Sequence, residues 1–172
     1  MAKKNFNLFF TVFFCAGLFS CVSKQQGETV IFPKVSEPIQ ITSNEKEHLF
    51  ASYYGINSWS QSQQYVTVLE TDIKNELPNE HQPAVLGLVD IKTREFIPLT
   101  ETRAWNFQQG CMAHWLATSP DSLIIYNDFR NERFVSVIMN VHTKAELKEI
   151  PYPVSAVSSN GKEAISINFA RI

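Results

Sequence analysis

Apolar and polar positions break the segment 105–139, WNFQQGCMAHWLATSPDSLIIYNDFRNERFVSVIM, into short units. Residues 111–117 alternate, 123–128 are apolar with a polar end, and 134–139 are apolar and β-branched. The polar breaks 118–122 (TSPDS) and 130–133 (RNER) have the chemistry of tight connections. This pattern predicts strands running up and down in an antiparallel meander. The flanking segments look like imperfect copies, with strands expected over 53–59, 65–72, 84–90 and 96–100 and a polar surface loop over 74–82. Short edge strands are expected at 30–32 and 39–41. No stretch keeps a helical period over three turns. Residues 145–150 are helix formers, but the run is short and stops at Pro151 and Pro153, so it reads as a strand or at most one turn.

Internal repetition gives the meander a larger organisation. Val89-Asp90-Ile91-Lys92-Thr93-Arg94 matches Met139-Asn140-Val141-His142-Thr143-Lys144, and each lies between two apolar strands. An Asp or Asn side chain can accept from backbone amides two residues on, and a Thr hydroxyl supports the same turn. Trp59 to Tyr65, Leu116 to Leu123 and Val157 to Lys162 each join an alternating strand to an apolar one. A period of roughly 40–50 residues with four strands per unit is the pattern of a propeller blade. The expected fold is therefore all-β: antiparallel meander blades, about two and a half blades of an incomplete β-propeller, over 53–100, 110–150 and an incomplete 154–172. A propeller closes with at least about four blades, so the chain is expected to be the N-terminal part of a larger one. The alternative is a self-contained β-sandwich of about ten short strands.

The first twenty residues stand apart from that fold. Lys3 and Lys4 precede an apolar run over 8–19, too short to span a bilayer comfortably, and the run ends at Leu18-Phe19-Ser20-Cys21. That ending resembles the lipobox of bacterial lipoproteins, which implies cleavage before Cys21 and its lipidation. An ordinary signal peptide with an incidental Cys21 is the other reading. The expected organisation is a signal peptide at 1–20, a tether and edge segment at 21–48, and the partial propeller from 49 onward. The expected location is the bacterial cell envelope, with the membrane as a partner through the lipid anchor.

Composition narrows the chemistry. The 172 residues carry 15 basic and 17 acidic side chains, a net charge of -2. Losing Lys3 and Lys4 with the signal would leave 13 basic and 17 acidic residues, or -4. No basic stripe appears, so no nucleic acid partner is expected. Of three cysteines, Cys15 would leave with the signal and Cys21 would be acylated. Only Cys111 remains as a thiol, and on an apolar strand it reads as inert packing.

Several segments also resemble one group of exported bacterial propellers, the oligogalacturonate lyase-like and TolB-like β-propellers. These are Trp105-Asn106-Phe107-Gln108-Gln109-Gly110, His114-Trp115-Leu116, Ile125-Tyr126-Asn127-Asp128, Tyr152-Pro153-Val154-Ser155-Ala156-Val157-Ser158 and Ile167-Asn168-Phe169-Ala170-Arg171. The resemblance runs from about Leu49 to the end and implies a propeller fold. In oligogalacturonate lyases the metal-binding cluster comes from later blades, so none of those positions is carried over.

Among candidate site residues, Gln108, Gln109 and His114 could contact a sugar or a metal at the mouth of a central channel. The plainer reading, which we favour, has the Gln pair bonding nearby backbone and His114 half-buried and satisfied. One His without a second ligand makes no metal site, and no cofactor is expected. Asn127, Asp128 and Arg130 could form a carboxylate–guanidinium clamp for a substrate acid, though such sets more often hold their own loop. Trp59, Trp105 and Trp115 could stack on sugar rings or fill the space between blades. His48, His81 and His142 fall in segments read as loop or turn. There is no Gly-x-Ser-x-Gly elbow, phosphate-binding Gly loop, His-Glu-x-x-His or Cys-x-x-Cys. Three functional readings follow: an envelope-anchored binding module for an oligosaccharide or an envelope protein, a truncated lyase of acidic oligosaccharides, and a truncated product without independent function. The first is preferred, with no self-sufficient active site and no catalytic residue nominated.

Overall fold

A computed structural model describes residues 32–42, 45–79 and 82–169. The chain divides into two units, Met1–Glu37 and Pro38–Ile172. Of the first, residues 32–37 carry no helix or strand and are exposed. The expected signal segment, Cys21 and the tether as far as residue 31 lie outside the described residues, as do His81 and residues 170–172. Among the described residues no helix is long and apolar enough to cross a membrane.

The second unit is all-β, with ten strands among the described residues. Strands β1 (Glu47–Phe50), β2 (Tyr65–Thr71), β3 (Ala84–Asp90) and β4 (Phe96–Thr102) form one antiparallel sheet in that order. Strands β5 (His114–Trp115), β6 (Leu123–Arg130), β7 (Arg133–Asn140) and β8 (Glu146–Ile150) form a second, again in chain order. A hairpin of β9 (Ala156–Val157) and β10 (Ala164–Ile165) follows. The expected meander is thus present. Its four-strand sheets close into no barrel or ring among the described residues.

Strand periodicity explains the layering, because successive side chains leave opposite faces. Leu69, Leu86 and Leu88 from the first sheet meet Ile124, Tyr126, Val135, Val137 and Met139 from the second in one core. The residues between them face away: Val66, Val68 and Val89 build a smaller cluster on the far side of the first sheet. On the far side of the second sheet, Ile125, Met112 and Leu116 pack with Val154 and the following hairpin. Each fully buried aliphatic side chain contributes about 1.5–3 kcal/mol.

The repeated turn forms twice with the same bonds. Asp90 Oδ1 accepts from the Lys92 and Thr93 amides at 2.8 and 3.1 Å. Asn140 Oδ1 accepts from the His142 and Thr143 amides at 3.0 and 3.1 Å. Arg94 and Lys144 then take the left-handed conformation, at φ 63° and 58°. The β6–β7 connection is tighter still: Asn131 and Glu132 both have positive φ, as a two-residue type I′ hairpin needs.

Several expected strands are corrected. Residues 39–41 form none; Pro38 brings no donor, Ile39 is exposed, and only Ile41 packs against the Val66 cluster. Residues 53–59 are not the first strand of their sheet. That role falls to β1, which places His48 in a strand rather than a loop. The chain leaves the sheet after Phe50, turns through Gly55 at φ 92°, and returns at Trp59, which bridges to Val66. Within 111–117 only His114–Trp115 is strand, because Gly110 and Met112 adopt positive φ of 57° and 54° just before it. In the incomplete third blade expected over 154–172, the described strands are the short β9 and β10.

The segment that follows β1 is hydrogen-bonded to the chain around β5. The Ala51 carbonyl accepts from the amides of both Cys111 and Ala113 at 3.0 Å, and the Ser52 hydroxyl donates to the Ala113 carbonyl. The Trp115 indole donates to the Ser58 carbonyl at 2.9 Å. At the turns, Gln61 N donates to the Pro120 carbonyl and Ser62 N to Asp121 Oδ1, at 3.3 and 2.8 Å.

Candidate functional site

Backbone bonding aligns three equivalent strand ends. Ser60 N donates to the Tyr65 carbonyl, Leu116 N to that of Leu123, and Ser158 N to that of Glu163, each at 2.9 Å. The residues just before them, Trp59, Trp115 and Val157, border one cavity of about 590 Å³. Asn57, Gln61, Ser158 and Ser159 add polar groups to its wall. This volume falls within the range of small-molecule sites, about 300–1,000 Å³.

His114 stands on that wall. Its residue is 8% exposed, and Nε2 is closed off from solvent with no hydrogen-bond partner. Burial, with a smaller opposing pull from the Ser155 backbone, holds the His114 pKa below the usual histidine value, which favours the neutral imidazole. The expectation of a half-buried, satisfied histidine is corrected at Nε2, which has no partner.

The other nominated residues separate. Asn106 Oδ1 accepts from the amides of Gln108 and Gln109 at 2.9 and 2.7 Å, folding that loop on itself. Gln108 Nε2 then donates to the Tyr54 hydroxyl at 3.2 Å, beside a cavity on the open side of the first sheet. Gln109 borders a different cavity, of about 410 Å³, together with Asn127 and Arg103. Gln108, Gln109 and His114 thus face three separate spaces and form no cluster.

Asn127, Asp128 and Arg130 hold structure. Asn127 Oδ1 accepts from Val154 N at 2.6 Å, and its Nδ2 donates to the Val154 carbonyl at 2.9 Å. Asp128 accepts from the amides of Arg103 and Phe129 and from Arg130 Nε, at 3.1, 2.8 and 2.7 Å. Arg130 grips both oxygens of Glu146 at 2.8 and 2.6 Å and reaches Glu149 at 3.3 Å. The guanidinium holds the Glu146 carboxyl below its ordinary range, and Glu146 raises Arg130 in turn. Arg130 thus faces three carboxylates, those of Asp128, Glu146 and Glu149.

The tryptophans divide by exposure. Trp105 is buried and donates to the Gln82 carbonyl at 2.9 Å, and Trp115 is half-buried against the core. Trp59, 43% exposed, leaves its indole available at the cavity. Cys111 is fully buried, and burial pushes its thiol up to about 12. Among the described residues no three His, Cys, Asp or Glu side chains gather as a metal site would require.

Sequence reasoning singled out His114 but missed Asn57, Gln61, Ser158 and Ser159. Their signal was the alignment of the three turns that begin after Trp59, Trp115 and Val157. In comparisons with known proteins, no family model, no curated protein and no solved structure matches this chain.

Proposed function

We propose that this chain is an envelope lipoprotein, anchored through Cys21, whose propeller-type blades present a carbohydrate-binding cavity. The observation that carries the binding assignment is the exposed Trp59 indole beside Asn57, Gln61, Ser158 and Ser159 on a cavity of about 590 Å³. An indole beside a ring of small polar side chains suits a sugar, whose faces are apolar and whose rim is hydroxylated. The propeller reading is supported by two four-stranded meanders in chain order with matching Asx turns. The anchor reading is supported by Lys3, Lys4, the apolar run and Cys21.

In this reading the protein binds and holds; it does not transform its ligand. The test is glycan-array binding by the detergent-solubilised full chain, followed by titration of any hit against Trp59→Ala. A loss of about tenfold or more, equivalent to about 1.4 kcal/mol, is expected. An array without a single hit would overturn the carbohydrate assignment. Labelled palmitate should enter the wild type and not Cys21→Ser; equal labelling would remove the anchor.

A further inference from the structure

Two cavities border the segment 53–59. One is the space of about 590 Å³ described above, and the other is a space of about 670 Å³ on the open side of the first sheet. Ile56, Asn57 and Trp59 line both. Trp59 pairs with Val66, and residues directly opposite on an antiparallel pair share a face. The indole therefore leaves on the side of Val66 and Val68, which line the larger cavity, and still borders the smaller one.

Aromatic exposure continues beyond Trp59. Phe50 and Tyr54 are 74% and 70% exposed, and both border the larger cavity. Phe50 pairs with Val68, so it shares the face of Trp59. Polar groups lie between the rings. The Tyr54 hydroxyl accepts from Gln108 Nε2 at 3.2 Å, and Asn57 Oδ1 accepts from the Trp59 amide at 3.0 Å. Among the described residues, no Asp, Glu, Lys or Arg borders either cavity, and His48 in the larger one lies 3.2 Å from Glu70. Contiguous exposed apolar surface marks an interaction site. Rings separated by amides and hydroxyls, without charge, match a chain of sugar rings, apolar on their faces and hydroxylated at their rims.

We propose that the ligand is an uncharged hexose chain that crosses Trp59 and reaches Tyr54 and Phe50, so that the two cavities are subsites of one site. This rests on the reading of the smaller cavity as a carbohydrate site and adds the length and course of the ligand. Trp59 is the ring at the junction. Asn57 and Gln61 bond hydroxyls of one end of the chain, and Gln108 those of the other. A sugar confined to the smaller cavity would touch neither Tyr54 nor Phe50.

The experiment titrates the detergent-solubilised full chain with cellobiose and cellohexaose, and with maltose and maltohexaose. In the series that binds, the hexaose should bind at least about tenfold tighter than the disaccharide. Tyr54→Ala should remove most of that gain and leave the disaccharide unaffected, while Tyr54→Phe, which keeps the ring, should retain it. Thermal melting of Tyr54→Ala should match wild type, which separates a lost contact from a lost fold. Trp59→Ala should weaken both lengths. Equal affinity for the two lengths, a gain that survives Tyr54→Ala, or a Tyr54→Ala loss equal at both lengths would overturn the span and leave the smaller cavity as a carbohydrate site. Absence of binding by all four sugars would overturn the proposal, and the glycan array would then decide the underlying reading by itself.

Discussion

Asn127 offers the most direct test of how the cavity is held. It sits mid-strand in β6, 3% exposed, and its own backbone is engaged on both sides. Its amide donates to the Cys111 carbonyl at 2.8 Å, and its carbonyl accepts from Thr102 Oγ1 at 2.8 Å. Those bonds survive truncation to Ala. The two side-chain bonds to Val154 do not, and Val154 is 2% exposed. Each orphaned buried group costs about 1–3 kcal/mol, so with some relaxation Asn127→Ala should cost about 2–4 kcal/mol. That is a large share of a typical total of about 5–15 kcal/mol. For a unit of this size the melting temperature should fall by about 8–16 °C.

The chemistry of the replacement sharpens this expectation. Asn127→Asp keeps an acceptor for the Val154 amide but sets a carboxylate against the Val154 carbonyl, so it should be no milder than Ala. Calorimetric melting gives the magnitude. Amide exchange locates it: protection should drop first at Val154 to Val157, ahead of β2 and β3. An Ala variant melting within about 0.5 kcal/mol of wild type, the scatter of ordinary surface changes, would refute the clamp. Exchange that rises equally in the first sheet would refute its local character.

Three other outcomes follow from the same geometry. Gly110 has φ 57°, and a Cβ there would run into the Ala51 backbone, so Gly110→Ala should break the Ala51 bonds to Cys111 and Ala113; a variant melting like wild type would refute this. Because the Arg130 hydrogen bond lowers Glu146 in the folded state, its contribution is fully present above the unfolded value of about 4.3 and fades as pH falls through the lowered folded value. Denaturant midpoints measured down through that range should fall, and Arg130→Gln should flatten the fall; an unchanged acid limb in the variant would count against the pair. Cys111, raised to about 12 and fully buried, should resist a thiol reagent at pH 8 until the protein unfolds, and prompt native labelling would show an open core.

Much of the fold could be read where the physics is local. The turns at Asp90 and Asn140 came through because one short side chain reaches amides two and three residues on, whatever surrounds it. Strands β2, β3, β6 and β7 came through because each is apolar on both faces. Strand β1 was hidden, since Glu-His-Leu-Phe carries no pattern of its own. Its partner residues Val68 to Thr71 define it across the sheet. The candidate site was less legible for the same reason. Gln108, Gln109 and His114 are close in sequence, yet Asn106 curls the loop and Gly110 and Met112 redirect the chain before His114.

The cavity and the misread strand have a common cause. Residues 53–58 do not continue β1 beside β2. Instead the Ala51 carbonyl turns to two amides of the neighbouring sheet, and Ser52 adds a third bond to it. Gly55 then reverses the chain where a side chain would be strained, and Trp59 rejoins the ladder at Val66. The excursion exchanges ladder bonds for bonds to the second sheet and leaves Asn57 and Trp59 on the rim of an open space. The hairpin pinned by Asn127 supplies the opposite wall through Val157 and Ser158. His114 therefore lies where three chain segments meet, and hydrogen bonds hold each of them there alongside side-chain packing.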